Sequence, residues 1–421
     1  MANVRRSHAV IAALVMALLW AGCAVAEVTV ELKNGKRLVV PIDPADIAGI
    51  TFGKADRPDG RPTFTNFPDF VASVPPGGFR GIGNSVMQAA KDVGLGHEGI
   101  EGPGAKINAW GSAAWVDDRC AYFTGGGHGA YPRNQFFVWC VDTMRFGLSH
   151  HPAPVTRRID SGQGFDCPVP DDGTPPNAHV ASNLAWAPNI RRIIWIPSVN
   201  YCDNFNIWDG VSGFFLTFDP ETRTFEKHVP DTGGIHPDCV GDWFSCGNYM
   251  GGFKYDPVTG HLFGHGRRYA YEFDPVAMRY VRTTWPDGSV EEGPTLIDLK
   301  RRRLVLIPWR EDLVIATVGL QNLRITVAKR HGIPGFWAWG LVHDTKRDVY
   351  VAWNGSRSFK FIDPETWKMT DYEVASGPAP KSTSSGIYDK FHYLPEWDVF
   401  AAYSNPNEPM WFFRMPEVKG D

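Results

Sequence analysis

Three features of the sequence predict an all-β fold: a six- or seven-bladed β-propeller with a small N-terminal β-hairpin appendage. The first is a pattern of strand, turn and strand that recurs six times. Its turns read Trp115-Val-Asp-Asp, Trp186-Ala-Pro-Asn, Tyr255-Asp-Pro-Val, Ile297-Asp-Leu-Lys, His343-Asp-Thr-Lys and Tyr393-Leu-Pro-Glu. The second is a later strand that often closes on the same pair, as in Phe218-Asp-Pro, Phe273-Asp-Pro and Ile362-Asp-Pro. The third is the interval, about 42 to 51 residues in the C-terminal half and about 70 in the first two units. Each four-stranded blade leaves faces that only neighbouring blades can bury, so the repeat must close into a ring. Six units are visible. A seventh blade would draw on the N-terminal part of the fold, with Trp411-Phe-Phe-Arg as a C-terminal strand.

Taken in order, residues 1–26 read as a secretory signal peptide. Arg5 and Arg6 precede an apolar run from Ala9 to Ala21, and Ala24-Val-Ala has the small-x-small form of a cleavage site. The chain is therefore expected to be secreted or periplasmic. Lipid attachment at Cys23 is the less favoured alternative, because Trp20 stands where a smaller aliphatic residue is expected. Residues 27–65 form a hairpin and linker: Val28-Thr-Val-Glu-Leu alternates, Asn34-Gly35 is a type I′ turn signal, and a Pro-, Gly- and Asp-rich stretch follows. Residues 66–421 make the propeller domain, with a short helix expected over Ser85–Val93.

At 43% hydrophobic and 21% charged residues the chain can bury an ordinary soluble core. A net charge of -4 argues against a nucleic-acid partner. No later stretch has the length and apolarity of a membrane span. Six cysteines remain after cleavage and permit 15 pairings. Cys120 with Cys140 is the best single expectation, then Cys239 with Cys246 and Cys167 with Cys202. Their spacings do not resemble a zinc site, and neither a metal nor a cofactor is expected. Nor is there a Gly-x-Ser-x-Gly elbow, a Walker loop or a His-Glu-x-x-His pair. The chain is expected to act as a monomer.

The stretch Gly125-Gly-Gly-His-Gly-Ala-Tyr-Pro-Arg-Asn concentrates function-bearing side chains on a glycine-rich hairpin tip. In a propeller, the loops between second and third strands share one mouth of the ring with the segments leading into each first strand. That mouth collects His128, Tyr131, Arg133, Asn134, Tyr201, His265, Arg267, Arg268, Trp309, Arg310, Asn354 and Arg357, with His179 and Tyr249 on lead-in segments. The opposite mouth carries Asp-rich turns that read as ordinary turn chemistry. Arginines gathered in an acidic protein suit an anionic ligand, and the aromatic residues beside them suit sugar rings. Trp337, Trp339, His343 and His392 read as structural.

These units resemble the kelch and galactose-oxidase-like propellers, and the glycine-His-Tyr-Asn hairpin is similar to one found in that group. The resemblance runs from about Ala105 to Pro416. An exported propeller with His, Tyr and Arg near its axis also resembles the propeller-fold polysaccharide lyases acting on ulvan and on oligogalacturonate. What this implies is β-elimination at a uronic acid, with an acidic polysaccharide or oligosaccharide as substrate. His128 would be the base, with His179 or His265 as partner. Tyr249 or Tyr131 would be the acid, and Arg267 or Arg268 would neutralise the carboxylate. A His-dependent glycoside hydrolase and a non-catalytic glycan-binding propeller are the alternatives.

Overall fold

The computed structural model describes residues 27–31, 37–41, 64, 66–126, 130–154, 157–160, 166–169, 179–195, 215–228, 252–266, 269–284, 293–308, 314–330, 333 and 335–416. The chain divides into two compact units, Met1–Thr65 and Asn66–Asp421. In the first, β1 (Glu27–Glu31) pairs antiparallel with β2 (Arg37–Pro41), the hairpin that the alternation predicts.

The second unit opens with α1 (Phe67–Ala72), β3 (Phe79–Ile82), α2 (Val86–Asp92) and α3 (Ala105–Asn108). The expected helix is α2, capped by the Ser85 hydroxyl, which accepts from the Gln88 amide. Six four-stranded antiparallel sheets complete the unit. Blade one is β4 (Ser112–Val116), β5 (Cys120–Thr124), β6 (Phe137–Cys140) and β7 (Arg145–Leu148). A two-stranded hairpin follows, β8 (Arg157–Asp160) with β9 (Asp166–Val169). Blade two is β10 (Leu184–Ala187), β11 (Arg192–Trp195), β12 (Phe215–Asp219) and β13 (Thr224–His228). Blade three is β14 (Gly252–Asp256), β15 (His261–His265), β16 (Ala270–Asp274) and β17 (Arg279–Thr284). Blade four is β18 (Thr295–Asp298), β19 (Arg303–Leu306), β20 (Val314–Gly319) and β21 (Ile325–Arg330). Blade five is β22 (Gly340–Asp344), β23 (Val349–Trp353), β24 (Ser358–Ile362) and β25 (Met369–Glu373). Blade six is β26 (Phe391–Leu394), β27 (Val399–Ala402) and β28 (Met410–Phe413), with β3 as its outer strand.

The blade count is six. The C-terminal strand does not start a seventh blade; it pairs with β3, Phe413 opposite Phe79 and Met410 opposite Ile82. Both ends of the propeller unit thus meet in one sheet, and no bare strand edge remains at the seam. The first strands pack one against the next from β4 round to β26, and the turn before β26 packs against β4, which completes the ring. Apolar side chains fill the spaces between blades. Between blades one and two, Ala114 and Phe136 meet Ile193, Trp195 and Phe218. Between four and five, Leu296 and Ile307 meet Leu341 and Tyr350.

The Asp-rich turns between first and second strands do more than reverse the chain. At every blade junction they make a polar contact to the next blade. Trp186 donates to Asp117 (2.8 Å) between blades one and two, and Asn189 donates to the Gly260 carbonyl (2.9 Å) between two and three. Arg302 grips the buried Asp256 with two bonds (2.7 and 2.6 Å). Arg301 does the same to Asp348 (2.8 and 2.8 Å), and Arg347 to Asp398 (2.6 and 2.8 Å). Arg119 with Glu396 and His392 with Asp118 close the circle between six and one. Bidentate Arg–carboxylate pairs fix geometry as well as charge, so these turns set the angular step of the ring. Arg301 and Lys300 hold the Asp348 carboxyl well below the usual range.

Cys120 and Cys140 sit directly opposite each other on β5 and β6 and form the expected disulfide. The other expected pairs, Cys239 with Cys246 and Cys167 with Cys202, rest on side chains outside the described residues.

Candidate functional site

Of the candidates expected at the strand 2–3 mouth, His128, Tyr201, Tyr249, Arg267, Arg268, Trp309 and Arg310 lie outside the described residues. The glycine run that leads to His128 has a packing reason of its own. A Cβ on Gly125 would lie 2.4 Å from the Gly111 Cα, and Gly126, at φ 138°, donates to the Ala109 carbonyl (2.9 Å). The loop therefore leaves β5 pressed against α3 and the segment after it.

Tyr131 is buried, and its hydroxyl accepts from Gln135 Nε2 (3.1 Å). Burial pushes its pKa up to about 12, so it keeps its proton at neutral pH. Arg133 donates through Nε to Glu98 Oε2 (2.7 Å) and through a second nitrogen to Oε1, and this pairing raises its pKa. Asn134 is buried. Asn354 uses its side-chain oxygen on the Ser356 amide (2.9 Å), which shapes its own turn. Arg357 donates to the Val374 and Gly377 carbonyls (2.8 and 2.5 Å) at the outer edge of blade five. Arg133 and Arg357 are thus already partnered within the protein.

His179 and His265 come from adjacent blades. His179 leads into blade two, is buried, and stacks on Trp110 with ring centroids 4.3 Å apart. His265 ends β15, opposite Gly252 on β14, and Gly252 bridges to Ser182 three residues beyond His179. His265 Nε2 is 3.1 Å from Thr295 Oγ1 on blade four. Burial draws its pKa down to about 4, which leaves the imidazole neutral at neutral pH. A histidine whose folded pKa is depressed adds stability above its unfolded value near 6.5, and loses it as pH falls through 4. Relative to pH 7, His265→Gln is therefore expected to be less sensitive to acid by about 3 kcal/mol at pH 4. Paired urea titrations of wild type and variant at the two pH values check this; equal acid sensitivity would contradict a neutral buried imidazole.

A second constellation lies along the axis. Blades three and six are diametrically opposed in a six-membered ring, yet Lys254 of β14 reaches Asp389, just before β26, at 2.7 Å. The ion pair therefore crosses the middle of the ring, and Ser112 of blade one adds a 3.3 Å bond to the same carboxyl. Their side chains are only 18% and 14% exposed. Burial raises the Asp389 carboxyl despite Lys254. From this bridge a cleft of about 330 Å³ opens towards the strand 1–2 turns, walled by Trp115, Trp186, Tyr255 and His392. His392 Nε2 donates to the Asp118 carboxylate (2.8 Å), and its ring stacks on Trp115 (5.0 Å, 11°).

Sequence reasoning set His392 aside as structural and passed over Lys254 and Asp389. No local pattern links two residues 135 positions apart. Only the ring order brings them together.

Among the described residues, no group of three His, Cys, Asp or Glu is placed to hold a metal ion. No described helix is long and apolar enough to cross a membrane.

No family model matches the chain, and no curated protein matches its sequence significantly. Many solved structures are similar in fold at low identity. A gluconolactonase from Xanthomonas campestris, XC5397, is 9% identical over 82% of this chain and 97% of its own, with a TM-score of 0.43. Hydrazine synthase of Kuenenia stuttgartiensis is 11% identical over 70% of this chain and 73% of its own, with a TM-score of 0.40. TolB from Acinetobacter baumannii is 10% identical over 64% of this chain and 55% of its own, with a TM-score of 0.37.

Proposed function

We propose that this chain is an exported carbohydrate-active propeller that cleaves an acidic glycan by β-elimination at its strand 2–3 mouth. The observation that carries the reading is the pair of buried histidines, His179 and His265, set on adjacent blades at that mouth, with His265 neutral at working pH. Tyr131 beside the glycine-rich loop retains its proton, as an acid must. In the reaction a base takes the uronate C5 proton, the C4–O bond breaks, the leaving oxygen is protonated, and a C4–C5 double bond remains. With Arg133 and Arg357 engaged, carboxylate neutralisation falls to Arg267, Arg268 or Arg310. His128, on the glycine loop, is the base in this scheme, and export follows from the N-terminal signal.

Polygalacturonate, alginate and ulvan, mixed in turn with the protein, should yield the ultraviolet absorbance of an unsaturated uronate with at least one polymer. His128→Ala should lower the rate by about 100-fold or more. No absorbance with any uronate polymer would remove the elimination chemistry. The engagement of Arg133 and Arg357 within the protein favours a second reading, a non-catalytic glycan binder, which retained polysaccharide binding without product would support.

A further inference from the structure

We infer that residues 94–102 form a hinged strap against the hairpin between β5 and β6, latched by the Glu98–Arg133 ion pair, and that its release uncovers Tyr131. This rests on the elimination reading only for what the open state does, since Tyr131 is an acid of that scheme; the latch itself needs no substrate. Three observations carry it.

The first is how the strap is built. It leaves α2 at Gly94, whose amide donates to the Lys91 carbonyl (3.1 Å), and rejoins buried chain at Gly102. Both ends are glycines in the left-handed region, at φ 73° and 63°. Val93 just before it and Ile100 within it are 41% and 76% exposed, and Leu95 is half-buried, so little apolar burial holds the segment down. Segments of this kind open locally at low cost while the rest of the fold stays intact.

The second is the latch. Two polar contacts join the strap to the hairpin among the described residues. The Glu101 amide donates to the Ala130 carbonyl (3.0 Å), and Glu98 accepts from Arg133 through both carboxylate oxygens, one of them 2.7 Å from Nε. The bidentate geometry fixes where the strap lies. The two side chains are 21% and 35% exposed, so salt screens the pair and breaking it costs little.

The third is the residue between those contacts. Tyr131 follows Ala130, precedes Arg133 and is only 1% exposed, with its hydroxyl turned to Gln135 inside the protein. A general acid must come within hydrogen-bond reach of the oxygen it protonates, so a covered Tyr131 marks a closed state. On its other side Tyr131 packs with Ala105 and Ala109, in and just after α3. That helix is tied to blade six, where Lys390 donates to the Ile107 carbonyl, so this side cannot yield without opening the ring seam. The side that can yield is the strap.

Hydrogen–deuterium exchange reads the strap, and hydroxyl-radical footprinting reads the Tyr131 side chain, both on the full chain without any polysaccharide. Glu98→Gln keeps the side-chain shape and removes the charge. It is expected to speed exchange over residues 95–101, and oxidation of Tyr131, by about threefold, with an unchanged melting transition. Raising sodium chloride from about 50 mM to about 1 M should do the same to the unaltered protein, relative to its blade strands, and leave the variant where it is. Exchange unchanged in the variant and at high salt would overturn the latch. Faster exchange with Tyr131 still protected would overturn the uncovering. If the variant fails to fold, the salt series on the unaltered protein still decides. A protein inactive on every uronate polymer can still pass these tests, and one that eliminates with a rigid strap keeps that reading and loses this one.

Discussion

A chain shortened to begin at Ser85 is expected to lose its cooperative fold. The missing segment supplies β3, the outer strand of blade six, and with it the ladder from Phe79–Phe413 to Ile82–Met410. It also supplies Phe67, Phe70, Val71, Val74 and Phe79, all buried. Phe67 packs edge-on against Phe412, Trp397 and Trp139, and Phe79 lies over Phe359 and Phe413. At about 2 kcal/mol for each large apolar side chain, the lost burial approaches 10 kcal/mol. That is of the same order as the whole stability of an ordinary domain, about 5–15 kcal/mol. The truncation also bares the β28 edge, an invitation to aggregate. Thermal unfolding followed by circular dichroism checks this: the full chain should melt in one sharp transition and the shortened one should show none. A shortened chain that melts within a few degrees of the full one would mean that β3 is a decoration and not the seam.

The same strand marks the limit of what the sequence reveals. The six repeats were legible because turn and strand alternate locally, and Asp-Pro or Asp-x-Lys turns announce themselves within a few residues. Even the disulfide was legible, since Cys120 and Cys140 flank one hairpin. The destination of Phe79–Ile82 was not, because a four-residue strand carries no sign of a partner over 300 residues away. The same reason hid the contacts of the Asp-rich turns. Their composition is that of any reversing chain, and what distinguishes Arg302, Arg301 and Arg347 is the neighbouring blade they reach. Arg133 shows the converse: its place on a chemically rich loop suggested a ligand, and Glu98, far from any repeat motif, claims it. A propeller sequence thus exposes its period readily, while its ring closure and channel contacts appear only once the blades are in order.

Lys390 decides how firmly that ring is closed, and Lys390→Met is expected to destabilise the protein by about 3 kcal/mol. The ammonium is fully buried at the junction of blades six and one. It donates to the carbonyls of Ile107 (2.9 Å), Gly111 (2.6 Å) and Gly386 (2.6 Å) and to the Ser384 hydroxyl (2.8 Å). Two opposed effects meet here. Burial draws the Lys390 pKa well below the usual lysine range, so holding the charged form costs stability at neutral pH, and methionine removes that cost. Methionine also removes the ammonium from three buried carbonyls, and for two of them, Ile107 and Gly386, the single Ser384 hydroxyl proton is shared between both, at about 1–3 kcal/mol for each acceptor left unmet. With three acceptors against one buried charge, and Asp389 next door favouring that charge, the stranded acceptors should dominate. The sign is therefore diagnostic. A lower denaturation midpoint in guanidinium for Lys390→Met would show that the closure depends on this four-acceptor cage. A higher midpoint would show that the buried ammonium costs more than its partners return, and that the seam is held by β3 and the Arg119 and His392 contacts alone.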